Sequence, residues 1–326
     1  MPLIQPSQNI MQSDSRIFVA GHSGLVGSAI VRRLNELGFA NTLTASRSNL
    51  DLCDAVVVER FFAENKPSHV FMAAAKVGGI HANNTQPVQF LDINLQIQGN
   101  VIRSAWRHAV KKFVFLGSCC IYPKICPQPI KEEYFLTGPL EPTNEWYAVA
   151  KIAGIKLCQA YRQQYGFDAI SLMPTNLYGP NDNFDLLTSH VLPALIRKCD
   201  EARRRNDSEV VIWGSGTPRR EFLYVDDMAD AAVFLMQNYS SEKILNVGTG
   251  IDITIRELAE LVANIVGFRG AIVTDARKPD GTPLRRIDVE TLFEMGWRPK
   301  IDLEEGIRRT YQWYRTNANS KYALNA

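Results

Sequence analysis

The run Gly21-His22-Ser23-Gly24-Leu25-Val26-Gly27 constrains this chain more than any other segment. It follows the apolar stretch Ile17–Ala20 and leads into the helical pattern Ser28–Leu37. A strand, a glycine-rich turn and a helix in that order predict a parallel sheet with a ligand site at its carboxyl edge. The glycines permit a tight turn and let a pyrophosphate approach the free N–H groups of a helix start, where the dipole favours an anion. The spacing is G-x-x-G-x-x-G rather than the commoner G-x-G-x-x-G. Read without a ligand, the same glycines would serve only the turn and the packing of helix on strand.

The remaining pattern extends that architecture. Thr42–Ala45, Val70–Ala74, Phe113–Leu116 and Ala169–Met173 read as further strands. Val56–Glu64, Gln89–Ala109 and Tyr147–Tyr165 read as the helices between and after them. Alternation of this kind predicts an α/β fold, a Rossmann-like doubly wound parallel sheet, with a smaller C-terminal substrate lobe. Past Gly179-Pro180 the rhythm loosens into a helix at Thr188–Arg205, a strand at Val210–Trp213 and helices at Met228–Gln237, Ile255–Val266 (capped by Thr254) and Leu303–Tyr314. The expected division is a flexible tail at 1–14, a dinucleotide-binding domain at 15–180 joined by part of 222–250, and a substrate lobe at 181–221 and 251–326.

Ser118 and Tyr147-Ala148-Val149-Ala150-Lys151 suggest chemistry at that edge. Residues four apart share a helix face, so Tyr147 and Lys151 point into one cleft. An ammonium beside a phenol favours the phenolate, and the expectation is that Lys151 lowers the Tyr147 pKa toward neutrality. Ser118 supplies a second hydrogen bond to the same substrate oxygen. Ligands of doubly wound sheets lie outside the strand ends. The cofactor candidates there are Gly21, His22, Ser23, Gly24, Leu25, Val26, Gly27, Leu116, Gly117, Ser118, Pro174, Thr175, Asn176 and Leu177. The second strand leads into Thr44-Ala45-Ser46-Arg47, with no acid to accept from a ribose 2′-hydroxyl and a cation at Arg47. That favours NADP over NAD, with Leu50 and Asp51 near the adenine.

Charge and composition exclude other classes. The 326 residues carry a formal net charge of +2, which does not suggest a nucleic-acid or membrane-surface binder. No stretch is long and apolar enough to span a bilayer, and the first fifteen residues lack a signal-peptide core. Cys53, Cys119, Cys120, Cys126, Cys158 and Cys199 form no C-x-x-C pair and no zinc spacing with histidine. The expectation is a cytoplasmic protein with reduced thiols and no metal.

Longer blocks carry a resemblance. Lys76-Val77-Gly78-Gly79-Ile80-His81-Ala82-Asn83, Ser118-Cys119-Cys120-Ile121-Tyr122-Pro123-Lys124 and Glu141-Pro142-Thr143-Asn144-Glu145-Trp146-Tyr147 resemble the GDP-L-fucose synthases. So do Pro174-Thr175-Asn176-Leu177-Tyr178-Gly179-Pro180-Asn181-Asp182-Asn183-Phe184, Trp213-Gly214-Ser215-Gly216-Thr217-Pro218 and Lys278-Pro279-Asp280-Gly281-Thr282-Pro283. These are extended short-chain dehydrogenase/reductases, and the plant members look most similar. The resemblance implies 3,5-epimerisation and 4-reduction of GDP-4-keto-6-deoxy-D-mannose with NADPH. It implies that Cys120 and His190 move protons on opposite faces of the sugar, and that Lys151 and His190 also touch the cofactor. Lys198, Trp213, Arg220 and Asp280 would hold the nucleotide-sugar, Arg220 gripping the diphosphate through paired donors. A homodimer through the helices Gln89–Ala109 and Tyr147–Tyr165 follows from the same analogy. Nucleotide-sugar dehydratases need an Asp-Glu pair where Cys119-Cys120 stands here, which argues against dehydration. A non-catalytic NADP sensor would be expected to lack the Tyr or the Lys. Ser23, Cys119, Tyr224, Asp185-Leu186-Leu187-Thr188 and Leu284 depart from the family pattern.

Overall fold

The computed structural model describes residues 9–278 and 280–318. In chain order the first half runs β1 (Ile17–Ala20), α1 (Leu25–Glu36), β2 (Thr42–Leu43), α2 (Ala55–Asn65), β3 (His69–Met72), α3 (Ile80–Thr85), α4 (Pro87–Arg107), β4 (Lys112–Leu116), α5 (Glu145–Tyr165) and β5 (Ala169–Pro174). The second half runs β6 (Asn176–Tyr178), α6 (Val191–Arg205), β7 (Glu209–Trp213), β8 (Arg219–Tyr224), α7 (Val225–Asn238), β9 (Leu245–Val247), β10 (Asp252–Thr254), α8 (Ile255–Val266), β11 (Ala271–Asp275), β12 (Leu284–Arg285), α9 (Glu290–Glu294) and α10 (Leu303–Trp313).

Six strands form one parallel sheet in the order β2-β1-β3-β4-β5-β9. Its central strands β1, β3, β4 and β5 are buried along their whole length, which is why they read as continuous apolar runs rather than alternating ones. α2, α4 and α5 cover one face, with Val58, Phe62, Val101, Ile102 and Ile155 in that core. α1 and α7 cover the other, with Ile30, Leu34, Met228 and Leu235. A smaller lobe builds its own core from α6, α8, α10 and β7, including Leu195, Ile196, Ile212, Leu258, Val262 and Ile307. A sheet in the order β10-β8-β12, with β6 also paired to β8, lies where the lobes meet.

Element ends depart from the sequence expectations for local reasons. α1 starts at Leu25, ahead of Ser28, because the glycine turn itself delivers the first helical residue. α6 starts at Val191 rather than Thr188. The Asp185 carboxylate accepts the backbone N–H groups of Leu187 and Thr188 and the Thr188 hydroxyl, and so holds a turn that competes with helix. Thr254 caps α8 as expected, in a reciprocal box with Glu257.

Two expectations need correction. The flexible tail was drawn through residue 14, but Met11 is buried in the core beneath α1. Asn9 also donates to the Asp168 carboxylate at 3.3 Å, and the His69 ring meets its carbonyl at 3.2 Å. Residues 1–8 of that tail lie outside the described residues. The second correction concerns 287–297, expected in the substrate lobe. Ile287, Val289, Leu292 and Trp297 pack in the large-lobe cores instead, because apolar surface at the sheet edge outweighs position in the sequence.

Candidate active site

The glycine turn is shaped by close backbone approach. Gly21 has φ +84°, and a Cβ there would lie 2.7 Å from the Ala74 Cα. A Cβ on Gly27 would overlap the Gly21 carbonyl. Gly24 closes the turn by donating to the Gly21 carbonyl at 3.1 Å. It caps α1 without a side chain, and the first turn of α1 holds no acid. First-turn N–H groups have no acceptor within their own helix, so the positive end of the dipole is left for an anionic ligand. The residues present therefore fit a dinucleotide diphosphate. Ser23 and Arg47 are solvent-exposed, while Leu50 is buried in the large-lobe core.

The proposed chemical residues gather at the carboxyl end of β4. Leu116 ends the strand, and Gly117 donates to the Leu172 carbonyl at 2.8 Å. Ser118 then turns the chain into a 3-10 segment, Cys119–Ile121, its Oγ accepting from the Cys120 N–H at 3.3 Å. From α5, buried Lys151 donates through Nζ to the Leu116 carbonyl at 2.7 Å. The same Nζ lies 4.9 Å from the Phe115 ring centre and 5.7 Å from that of Tyr147. Phe90 from α4 meets the Tyr147 ring edge-on at 6.4 Å.

The expected lowering of the Tyr147 pKa is not what the structure gives. Burial pushes Lys151 down to about 8 and Tyr147 well above its ordinary value. Desolvation of both groups outweighs the help an ammonium gives a phenolate. Burial also pushes the Cys120 thiol up to about 12, although the Ser118 hydroxyl and the Arg285 and Lys151 charges oppose it.

His190 arrives on a different element. It occupies the N-cap position of α6 with no side-chain capping bond. The segment before it docks on the β3–α3 loop through the Gly79 N–H, which donates to the Thr188 carbonyl at 2.8 Å. A Cβ on Gly78 would touch Phe90, the residue that meets Tyr147. His190 is solvent-exposed, yet surrounding protein lowers its pKa by desolvation. Local access combined with dense protein around it describes a group on a cleft wall. Thr175 and Asn176, past β5, both donate to the Glu221 carbonyl, at 3.2 and 2.8 Å. Pro174 closes the register with β9, and Leu177 packs against α1 and α7.

The four substrate candidates gather around the turn from β7 to β8. Trp213 is 55% exposed, with Lys198 Nζ 5.9 Å and Lys278 Nζ 5.2 Å from its ring centre. An exposed indole of that size is an available stacking surface. Lys198 also donates to the Val211 carbonyl at 3.1 Å. Asp280 accepts from the Ser215 N–H and hydroxyl, both at 2.8 Å, and so pins its own loop against the turn. Arg220 is largely enclosed and donates to the Arg219 and Thr282 carbonyls at 2.7 and 2.5 Å. No carboxylate lies within ion-pair distance of it among the described residues, and burial together with the neighbouring Arg285 lowers its pKa.

Sequence reasoning missed Glu141, Lys278 and Arg285. Glu141 accepts from Thr282 at 3.2 Å and pairs with Lys124 at 3.2 Å. Arg285 donates to the Cys119 carbonyl at 2.7 Å, across 166 residues of sequence. Lys278 lies inside a quoted block, so its position was legible. The Arg285 contact left no local signal.

A dinucleotide cradle after β1, a Tyr-Lys pair at the end of β4 in the same sheet and a second lobe with its own core define a nucleotide-dependent enzyme of the Rossmann class. The model of the NAD dependent epimerase/dehydratase family matches residues 17–248. GDP-L-fucose synthase 1 of Arabidopsis thaliana is 59% identical over 309 residues, covering 95% of this chain and 96% of that protein. A GDP-6-OMe-4-keto-L-xylo-heptose reductase from Campylobacter jejuni superposes with a TM-score of 0.90 at 39% identity, covering 94% of this chain and 99% of the other. A GDP-L-fucose synthetase from Naegleria fowleri bound to NADP gives 0.87 at 28% identity, covering 96% and 97%. The chain belongs to the NAD dependent epimerase/dehydratase family and, within it, to the GDP-L-fucose synthases.

Proposed function

We propose that this chain carries out 3,5-epimerisation and NADPH-dependent 4-reduction of GDP-4-keto-6-deoxy-D-mannose, forming GDP-L-fucose. The observation that carries this reading is the meeting of Ser118, Cys120, Tyr147 and Lys151 at the end of β4, in the same parallel sheet whose β1 runs into the glycine turn. A C4 ketone acidifies the hydrogens on C3 and C5. Removing one sends its electron pair to the C4 oxygen as an enolate. Ser118 and Tyr147 hydrogen-bond that oxygen, as an oxyanion hole does. Inversion then needs a proton taken from one face and returned to the other. A neutral imidazole at His190 suits the acceptor, and a protonated Cys120 thiol suits the donor. A bound reduced nicotinamide supplies the hydride for C4. Tyr147 gives the C4 oxygen its proton, and Lys151 orients the cofactor ribose and recharges the phenol.

Arg47, in a segment without an acid before it, supports a 2′-phosphate and hence NADP(H); the Naegleria relative was solved with NADP. The enzyme divides into the dinucleotide domain and nucleotide-sugar lobe drawn from the sequence, with 287–297 assigned to the former. It works in the cytoplasm; among the described residues no helix is long and apolar enough to cross a membrane. It is a homodimer through α4 and α5, where Leu95, Trp146 and Val149 are exposed. Sedimentation of the purified protein at twice the chain mass is the expected result, and a monomer contradicts it.

The deciding experiment incubates the protein with GDP-4-keto-6-deoxy-D-mannose and NADPH in deuterated water. Loss of absorbance at the NADPH band with GDP-L-fucose carrying deuterium at C3 and C5 is expected. The similarity to the Campylobacter reductase gives a second reading, reduction alone. It would appear as NADPH oxidation without deuterium on carbon. No NADPH consumption defeats both.

A further inference from the structure

We propose that Arg285 is a positioning residue for epimerisation, fixing the Ser118–Pro123 turn through the Cys119 carbonyl and thereby the direction of the Cys120 thiol. The inference rests on the reading of Cys120 given above. Arg285 is 9% exposed. Its Nη1 donates to the Cys119 carbonyl at 2.7 Å, and its Nη2 reaches the Pro123 carbonyl at 3.5 Å. The two carbonyls bracket the turn, so the planar guanidinium spans it from one end to the other.

The expense of this arrangement points to a purpose. No carboxylate lies within 4 Å of Arg285 among the described residues, although buried cations are ordinarily paired. The register of β12 on β8 sets Arg285 opposite Arg220, a second enclosed cation. Two like charges side by side in a poorly solvated region repel. An apolar side chain here would leave the Cys119 carbonyl without this donor. What the guanidinium supplies instead is a rigid two-point hold on the one turn that carries Ser118 and Cys120. It also sets a positive charge beside both thiols, opposing the effect of burial on Cys119 and Cys120.

The test compares wild type, Arg285→Gln and Arg285→Lys in deuterated water with NADP⁺ in place of NADPH, so that exchange at C3 and C5 is read without reduction. NADPH affinity is measured by fluorescence in parallel as the check that the cofactor domain is intact. Arg285→Gln should slow exchange by at least tenfold while the NADPH Kd stays within twofold. Its acid limb, which His190 sets in the reading above, should stay where it is in wild type. Arg285→Lys keeps a charge and one carbonyl contact, and should recover most of the rate at the wild-type pH profile. Exchange at the wild-type rate in Arg285→Gln overturns the proposal. So do equal losses in Arg285→Gln and Arg285→Lys, which mark a merely structural role. A wild type that oxidises NADPH without exchange sinks the epimerase reading and this inference together, whereas failure in the variants alone leaves the epimerase reading standing.

Discussion

A single hydrogen bond, from Lys151 Nζ to the Leu116 carbonyl at 2.7 Å, ties the helix carrying Tyr147 to the strand that leads into Ser118. It fixes the two halves of the proposed oxyanion site relative to each other. Burial of the same ammonium lowers its pKa to about 8.

Tyr147→Phe keeps the ring and its contact with Phe90 but removes the proton that C4 reduction requires. The expected outcome is a fall in NADPH oxidation of roughly 100-fold or more with unchanged NADPH affinity. Stopped-flow absorbance with the keto-sugar measures it, and wild-type turnover would remove Tyr147 from the chemistry.

Cys120→Ser replaces a thiol with a group far less able to exchange a proton with carbon. Deuterium incorporation at C3 and C5 should drop by roughly 100-fold or more, read by mass spectrometry of the product, while NADPH still binds. Unchanged incorporation would exclude the thiol.

In the proposed mechanism, His190 sets the acid side of the pH profile. Desolvation lowers its pKa below 6.5, so the imidazole stays neutral, and able to accept a proton, to lower pH than a free histidine. Exchange should hold its rate as pH falls through 6.5 and decline only below it. A decline centred above 6.5 contradicts the assignment, as does an unchanged acid limb in His190→Gln.

Arg220→Met removes an enclosed cation that has no carboxylate partner. On the proposed assignment the diphosphate loses a paired donor, so KM for the nucleotide-sugar should rise by roughly 10- to 100-fold, taking about 1.5–3 kcal/mol for a charge-assisted contact. NADPH affinity should not move. Initial-rate measurements at varied sugar and fixed NADPH separate the two.

Lys112, fully buried, donates to the Tyr239 carbonyl and sits 3.7 Å from Asp168. Its pKa falls to about 8, from 10.5, chiefly by burial. Between those values the unfolded chain holds more protons on this lysine than the folded protein does, so the lysine's contribution to stability rises with pH. From pH 8 to 9.5 the wild type should gain about 1.5 kcal/mol relative to Lys112→Met. Urea midpoints at the two pH values test this. Equal changes in both proteins would show that the folded lysine titrates normally.

Much of the main sheet was readable because its strands are buried on both faces and so appear as unbroken apolar runs. β6, β8, β9, β10, β11 and β12 were not anticipated. They are two to six residues long, and only β9 is buried along its whole length; their pairing partners, not their composition, make them strands. The four substrate candidates were reached through resemblance alone. That they gather around one turn follows from β8 joining β6, β10 and β12 at the seam between the lobes.

The sequence alone determined the local geometry: glycines at Gly21 and Gly27 where backbone meets backbone, and a tyrosine and lysine on one helical face. Those depend on steric allowance and a fixed helical period, both written in neighbouring residues. Only the tertiary structure decided the electrostatics. Burial pushes Tyr147 up and Lys151 down, the reverse of what their spacing implies for the phenol, and Arg285 reaches the Cys119 carbonyl from the far end of the chain. Solvation and long-range contact depend on what surrounds a group in space, and no spacing along the chain encodes that.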